Sequence, residues 1–239
     1  MQKLLIVGYG RMGKMIEDVV SQRKDVAIVG RVDPLLPPWD ESETPDAILD
    51  FSLPQGLKAS CEMAVRFGAA LVVGTTGMDE AAQKLLAETA GHVPVIRSSN
   101  YSLGIAVLKR AVRMVAQALG EDFDIEIVET HHNQKVDAPS GTALSLAEAA
   151  DVNGDKPRVY GREGRPGARG REIGLHAIRG GTVAGEHRVL FLGDNETLEL
   201  RHEAQSRRIF AVGAVKAALA LIGKPASLYE MDDIASGAL

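Results

Sequence analysis

Residues 129–144 read ETHHNQKVDAPSGTAL, with His131 and His132 adjacent, Lys135 close behind, and Ser140, Gly141 and Thr142 leading into a helical stretch. Imidazole can hold or release a proton near neutral pH, and the lysine supplies a fixed positive charge. Ser140 is a preferred helix cap, and the backbone N–H groups of Gly141 and Thr142 at a helix start can receive a carboxylate. Together these groups can grip and protonate an anion. In an extended strand His131 and His132 face opposite sides, so a shared ligand requires a turn at that point. No metal is expected. Adjacent histidines lack the i, i+4 spacing of helical metal sites, and the lone cysteine, Cys61, excludes both multi-cysteine ligation and an intramolecular disulfide.

A second stretch with chemical content is VGYGRMG, residues 7–13. The apolar run KLLIV leads into it, and Met12, Met15, Ile16, Val19 and Val20 follow at helical spacing, so the glycines fall between a strand and a helix. Gly8 can make the tight turn, Gly10 lets the backbone approach a pyrophosphate, and Gly13 permits close packing of the helix. Tyr9, Arg11 and Met12 complete the loop. Asp33 ends the next apolar run, where a carboxylate reaches an adenosine ribose. Such a carboxylate accepts hydrogen bonds from the free hydroxyls of NADH and repels a 2′-phosphate, which favours NADH. Arg31 and Arg11 could each pair with that phosphate, so NADPH stays open. Two further turns, Gly74-Thr75-Thr76 and Ser98-Ser99-Asn100-Tyr101, also follow apolar strands and suggest the nicotinamide side of the same pocket.

The elements that must position these groups can be read from the apolar pattern. Strands at KLLIV, VAIVGRVD, AILDFS, ALVVGTTG and VPVIRSSN alternate with helices near residues 11–23, 55–67 and 79–90, which predicts a mostly parallel sheet covered on both faces. A long helix fits Ser102 to Leu119. FDIEIVETH then alternates Ile125, Ile127 and acids, as a half-exposed strand would. Residues 158–171, RVYGREGRPGARGR, lack periodicity and read as a mobile surface loop. EIGLHAIRG, TVAGEHRVLFLG and ETLELRHEA are strand-like, separated by Gly-Gly and Gly-Asp-Asn turns, and predict antiparallel pairing. The last 30 or so residues (~30) return to helix, apolar on most faces.

The 239 residues carry a formal charge of −5 and are 45% hydrophobic. That balance supplies a core and argues against a nucleic-acid partner held by a global positive field. The start of the chain lacks the regions of a signal peptide and no stretch approaches a membrane span, so a cytoplasmic protein with a small-molecule partner is expected. A dehydrogenase acting on another amino-acid intermediate and a non-catalytic nicotinamide-binding sensor are the competing readings.

HHNQKVDAPSGTAL resembles the signature of the dihydrodipicolinate reductase family. VGYGRMGKMI, VGTTG, SSNYSLGIAVL, GREG, GGTVAGEH and SRRIFAVGAVKAAL are similar to its other segments, in order along nearly the whole chain. The resemblance implies an α/β fold: a Rossmann-like dinucleotide-binding domain, residues 1–101 and 208–239, and an α+β domain with a mixed open sheet, residues 102–207, for substrate binding and tetramerisation. It implies reduction of a cyclic dicarboxylate of the diaminopimelate and lysine pathway with NADH or NADPH, in a homotetramer. His131 corresponds to the proton donor, with water as the alternative. Lys135 corresponds to the second donor and substrate anchor, and His132, Gly141 and Thr142 to carboxylate-binding groups. Closure of the two domains is implied. The glycine loop lacks a residue present in some members, and Asp33 stands where some carry glutamate, which leaves the cofactor preference open.

Overall fold

The computed structural model describes residues 1–237. The chain divides into two compact units, one formed by residues 1–103 with the C-terminal segment from Arg208, the other by Gly104–Arg207.

In the first unit, strands β1 (Gln2–Val7), β2 (Val26–Val32), β3 (Ala47–Asp50), β4 (Ala70–Val73) and β5 (Pro94–Arg97) alternate with helices α1 (Arg11–Ser21), α2 (Leu57–Phe67) and α3 (Glu80–Ala90). β3 and β4 are buried along their whole length, which is why they read as unbroken apolar runs. Leu5, Val7, Ile48, Leu71 and Val95 pack on Leu57, Cys61 and Ala64 of α2 and Leu86 of α3. Strand alternation turns Leu4, Ile6, Leu49 and Val72 to the opposite face, where α6 (Arg208–Leu221) lies against β3 and β4 and packs on α1. A short strand β11 (Ser227–Tyr229) pairs with β5, and the order β11-β5-β4-β3-β1-β2 is parallel throughout. β11 was not visible in the sequence: three residues, SLY, are too few to show a period. Helix α7 (Met231–Ser236) follows it, started by a capping box between Glu230 and Asp233. This is a Rossmann-like α/β unit.

The second unit holds most of α4 (Leu103–Leu119), β6 (Asp124–His131), α5 (Gly141–Ala150), β7 (Arg158–Tyr160), β8 (Ile173–Arg179), β9 (Glu186–Leu192) and β10 (Thr197–Glu203). Its sheet has the order β10-β9-β6-β8-β7. Ile125, Ile127, Ile173, Leu175, Val189 and Phe191 face α4 and α5 in a single core. The expected antiparallel pairing holds for β9 with β10 and for β9 with β6. It fails for β8, which lies parallel to both β6 and β7. The chain leaves β6, crosses through α5 and returns alongside, as a helical crossover requires. The sheet is therefore mixed.

Residues 158–171 also differ from the expected mobile loop. Residues 158–160 form β7, too short to show a pattern. Arg162 pairs with Glu126 and Glu172, Arg169 with Asp124 and Glu126, and Arg171 with Glu121 and Asp155, so the arginines fasten the segment to the central strand β6 and to the loops beside it. Burial works against ionising Glu126, yet hydrogen bonds from Arg162, His176 and Arg169 outweigh it and hold its pKa at about 2. Among the described residues, no helix is long and apolar enough to cross a membrane.

Candidate active site

At the C-terminal edge of the first sheet, the three loop glycines do different work. Gly8 has φ 87°, and a Cβ there would lie 2.5 Å from the Phe51 carbonyl oxygen. A Cβ on Gly13 would lie 2.5 Å from the Gly8 oxygen, so its absence lets α1 start hard against the loop. Gly10 caps α1 without a side-chain hydrogen bond, and a Cβ there would meet nothing within 4 Å. Two glycines thus make room for the protein's own backbone, and the third leaves the helix N-terminus open. That arrangement suits the diphosphate of a dinucleotide.

Asp33 follows β2. Its Oδ2 accepts the Tyr9 N–H at 2.8 Å and its Oδ1 accepts the Leu35 N–H at 3.0 Å, so the carboxylate fixes the glycine loop and retains lone pairs for ribose hydroxyls. Arg31 forms an ion pair with Glu17 of α1 and lies 5.6 Å from the Tyr9 ring centroid, while the Tyr9 hydroxyl donates to the same Glu17. Arg11 is exposed and Met12 half-buried in the first turn of α1.

A Cβ on Gly74 would lie 2.1 Å from the Phe51 ring. Thr75 is buried and donates to Asp50 Oδ1 at 3.0 Å, whereas Thr76 is exposed. Ser98 donates to the Asn100 carbonyl at 2.7 Å, Asn100 Oδ1 accepts the Ser102 N–H at 2.8 Å, and Ser99 is exposed. Tyr101 is buried, its hydroxyl donating to the Val73 carbonyl at 2.8 Å, and burial pushes its ionisation far up. Its phenol ties the ends of β4 and β5 together.

In the second unit the buried face of β6 continues from Ile125 and Ile127 into Glu129 and His131. Strand residues two apart share a face, so these two polar side chains enter the core side by side. His131 Nδ1 hydrogen-bonds Glu129 Oε2. Glu129 Oε1 accepts the Ser140 N–H at 3.2 Å and Arg179 Nη2 at 2.8 Å. Burial opposes ionisation of Glu129, but the hydrogen bonds from His131 and Arg179 prevail and hold its pKa at about 2. Ser140 caps α5, its hydroxyl accepting the Ala143 N–H at 3.2 Å and facing His187 Nε2 at 3.2 Å. The His187 ring stands edge-on to His131 with centroids 5.1 Å apart. Burial, then the neighbouring His131, push the His187 pKa down to about 4.

β6 ends at His131, and the turn lies after both histidines, at Asn133 and Gln134, where the Lys135 N–H bonds the His132 carbonyl at 3.2 Å. Arg207 Nη2 lies 2.6 Å from His132 Nε2, and desolvation followed by the Arg207 charge lowers the His132 pKa. Lys135 Nζ pairs with Asp137 Oδ1 at 2.8 Å and holds that carboxyl below its usual range. Gly141 and Thr142 form the first turn of α5, where Gly141 is exposed and a Cβ on it would meet nothing within 4 Å. Glu129, His131 and His187 each offer a ligand atom within 4.8 Å of the other two. Glu129 and His131 are, however, bonded to each other, and the Arg179 guanidinium already occupies the carboxylate. The cluster is a hydrogen-bonded network.

Two family models match the chain, "Dihydrodipicolinate reductase, N-terminus" over residues 37–101 and "Dihydrodipicolinate reductase, C-terminus" over residues 104–235. The chain belongs to the dihydrodipicolinate reductase family. It is 40% identical to the 4-hydroxy-tetrahydrodipicolinate reductase of Pseudomonas fluorescens strain Pf0-1, covering 98% of each chain. It is also 40% identical to that of Clostridium tetani, covering 97% of this chain and 96% of the other. Among solved structures, the dipicolinate-bound dihydrodipicolinate reductase of Paenisporosarcina sp. TG-14 superposes with a TM-score of 0.78 at 23% identity, over 96% of this chain and 97% of that one. That likeness extends the fold to the whole family member.

Sequence reasoning missed Glu129, Arg179, His187 and Arg207. Glu129 was visible as the next residue in the Ile125, Ile127 alternation, but a carboxylate there reads as solvent-facing. Arg179, His187 and Arg207 reach the cluster from the end of β8, from β9 and from beyond β10, and pairing across strands leaves no spacing in a single chain.

Proposed function

We propose that this chain reduces 4-hydroxy-tetrahydrodipicolinate to tetrahydrodipicolinate with a reduced nicotinamide cofactor. The observation that carries the reading is the buried Glu129–His131 pair joined through Ser140 to the first turn of α5: a proton-donating imidazole and a carboxylate-binding helix start, held by one acid. A bound NADH or NADPH supplies the hydride. Gly8, Gly10, Gly13 and the first turn of α1, with Tyr9, Arg11 and Met12, hold the diphosphate, and Asp33 receives the ribose hydroxyls. The backbone at Gly74, Thr75 and Thr76 and at Ser98, Ser99, Asn100 and Tyr101 lines the nicotinamide side. Lys135 exchanges Asp137 for one ring carboxylate. The N–H groups of Gly141 and Thr142, together with His132, take the other. His131 gives the ring its proton.

NADH is the preferred cofactor in this reading, supported by Asp33 and by the pairing of Arg31 with Glu17, which occupies the nearest guanidinium that a 2′-phosphate could use. Assembly as a homotetramer through the second sheet is supported by Val128, Ile178 and Leu190, apolar side chains on the face that no helix of this unit covers.

The deciding experiment is a continuous assay of reduced-nicotinamide absorbance with freshly generated substrate and each cofactor in turn. Turnover with NADH exceeding that with NADPH is expected. Binding of NADH without any turnover on this substrate would leave a sensor and remove the enzymatic reading.

A further inference from the structure

We infer that Glu129 is a positioning residue that fixes the tautomer of His131, keeping a proton on Nδ1 so that Nε2 is the atom that donates to substrate. The inference rests on the reading of His131 as the proton donor and adds how that donor is held. Three donors converge on the two Glu129 oxygens. Oε1 takes the Ser140 N–H at 3.2 Å and Arg179 Nη2 at 2.8 Å, and Oε2 takes His131 Nδ1. An ionised carboxylate can only accept, so Nδ1 must carry hydrogen in both the neutral and the cationic imidazole. The carboxylate is 1% exposed, and Arg179 is itself anchored by the Asp137 carbonyl at 2.6 Å and the Ile178 carbonyl at 2.8 Å. With a pKa of about 2 the acid stays charged through the working range.

The opposite edge of the ring is kept clear by a different device. The segment between β8 and β9 passes the end of β6, with the Gly180 N–H bonded to the His131 carbonyl at 2.9 Å. Where it returns, a Cβ on Gly185 would lie 3.0 Å from His131 Nε2. Glycine puts no side chain of residue 185 against that nitrogen. Nδ1 is therefore committed and Nε2 is presented. Once the 4-hydroxyl and a ring hydrogen have left as water, the ring gains in the reductive step a hydride with its electron pair from the cofactor and one proton from Nε2. The imidazole is left neutral, its remaining proton on Nδ1 facing Glu129. The same carboxylate also holds the Ser140 N–H, so donor and carboxylate-binding turn share one anchor.

The test begins with the wild-type enzyme. Nitrogen-15 NMR of histidine-labelled protein, assigned with His131→Gln, should show His131 in the Nδ1–H tautomer when neutral; an Nε2–H tautomer overturns the inference without any variant at Glu129. In Glu129→Gln, the amide oxygen still serves Ser140 and Arg179, so the amide NH2 faces Nδ1 and drives the proton to Nε2. Turnover should fall about 100-fold, with KM for both substrates within about threefold, because an Nδ1 that faces an amide NH2 cannot hold a proton, so the imidazolium that gives up its Nε2 proton is not formed while the binding groups stay in place. The double variant Glu129→Gln/His131→Gln should be no slower than His131→Gln alone. Additive losses would mean Glu129 acts by another route. Full turnover in His131→Gln would sink the donor reading itself, whereas a slow His131→Gln beside a normal Glu129→Gln would sink the positioning role alone.

Discussion

In the proposed function, the C-terminal edge of the first sheet and the C-terminal end of β6 would recognise anions by opposite means. At the first, the recognition groups are backbone: glycines 8 and 13 remove side chains so that a helix start comes close, and the side chains that remain, Asp33 and Thr75, bond mainly to the loops themselves. At the second, recognition depends on side chains, and these are held by a buried acid with cations and imidazoles around it. A dinucleotide is large and presents the same diphosphate every time, so shape and N–H groups suffice to bind it. A small ring that must be protonated at one atom needs a group of fixed orientation and tautomer, which backbone cannot supply. Substitutions at the two edges should therefore fail in different ways.

The largest separation is expected from Lys135→Ala. The ammonium sits in the turn after β6 and pairs only with Asp137 at 2.8 Å among the contacts on this loop, so removing it leaves the fold intact. Turnover should drop about 1,000-fold, the scale of losing a charge anchor and a donor together, while the dissociation constant for NADH stays within about twofold. A variant that binds NADH poorly would show that the two edges are not independent.

Gly8→Ala and Gly10→Ala divide the cofactor edge in the same spirit. At Gly8 the new Cβ meets the Phe51 carbonyl at 2.5 Å in a left-handed backbone, so thermal stability should fall by about 2–4 kcal/mol and NADH binding with it. At Gly10 nothing lies within 4 Å and φ is −78°, so stability should be unchanged while NADH affinity falls about tenfold from crowding of the diphosphate. Calorimetric binding and melting curves on both variants separate the outcomes. Equal destabilisation would mean that Gly10 also makes room for protein and not for ligand.

How far each edge could be read from sequence follows from the same contrast. The glycine loop was legible because its logic is local: a strand, a turn and a helix within residues 2–21, with Asp33 ending the next strand. That the first sheet is parallel and covered on both faces followed from its unbroken apolar runs, whereas its strand order did not. His131, Lys135 and the Ser140 cap were legible because they share one short segment. Glu129 was passed over, since alternation assigns a face but composition decides whether that face is wet, and a buried acid breaks the usual association. The parallel placement of β8 and the existence of β11 depended on crossovers and edge pairing, which a window of sequence does not contain.

Acid should also distinguish the β6 cluster from the rest of the molecule. His187 has its pKa lowered by burial from 6.5 to about 4, so between those values the unfolded chain takes up a proton that the folded chain refuses. Its contribution is complete above pH 6.5 and declines as pH falls towards 4, by up to about 3 kcal/mol. Glu129 is lowered to about 2, so its stabilisation is complete above the ordinary carboxylate range and is lost only as pH falls from about 4.5 towards 2. The windows barely overlap. In His187→Gln, stability measured by urea melts should fall less between pH 6.5 and 4, with a residual slope from His202, whose pKa burial also lowers. An unchanged slope would mean that His187 is not held neutral by the fold.

The smallest effect is expected at the cofactor edge, where one side chain interaction tunes what the backbone already binds. Glu17 projects from α1 and draws Arg31 and the Tyr9 hydroxyl to itself, with the guanidinium stacked 5.6 Å from the Tyr9 centroid. The pair is partly exposed, Arg31 by 39% and Glu17 by 26%, so water screens it and its breaking costs the fold little. A 2′-phosphate bound next to Asp33 would compete with Glu17 for that guanidinium. Glu17→Gln removes the competitor's charge without shortening the side chain, and should improve kcat/KM for NADPH about fivefold while leaving that for NADH within about twofold. The added Arg31→Ala change should cancel the gain, because the freed guanidinium is then gone. If Glu17→Gln raises NADPH use and Arg31→Ala does not reverse it, the discrimination lies in relief of repulsion between two anions rather than in release of Arg31, and Asp33→Asn should then reproduce the same gain.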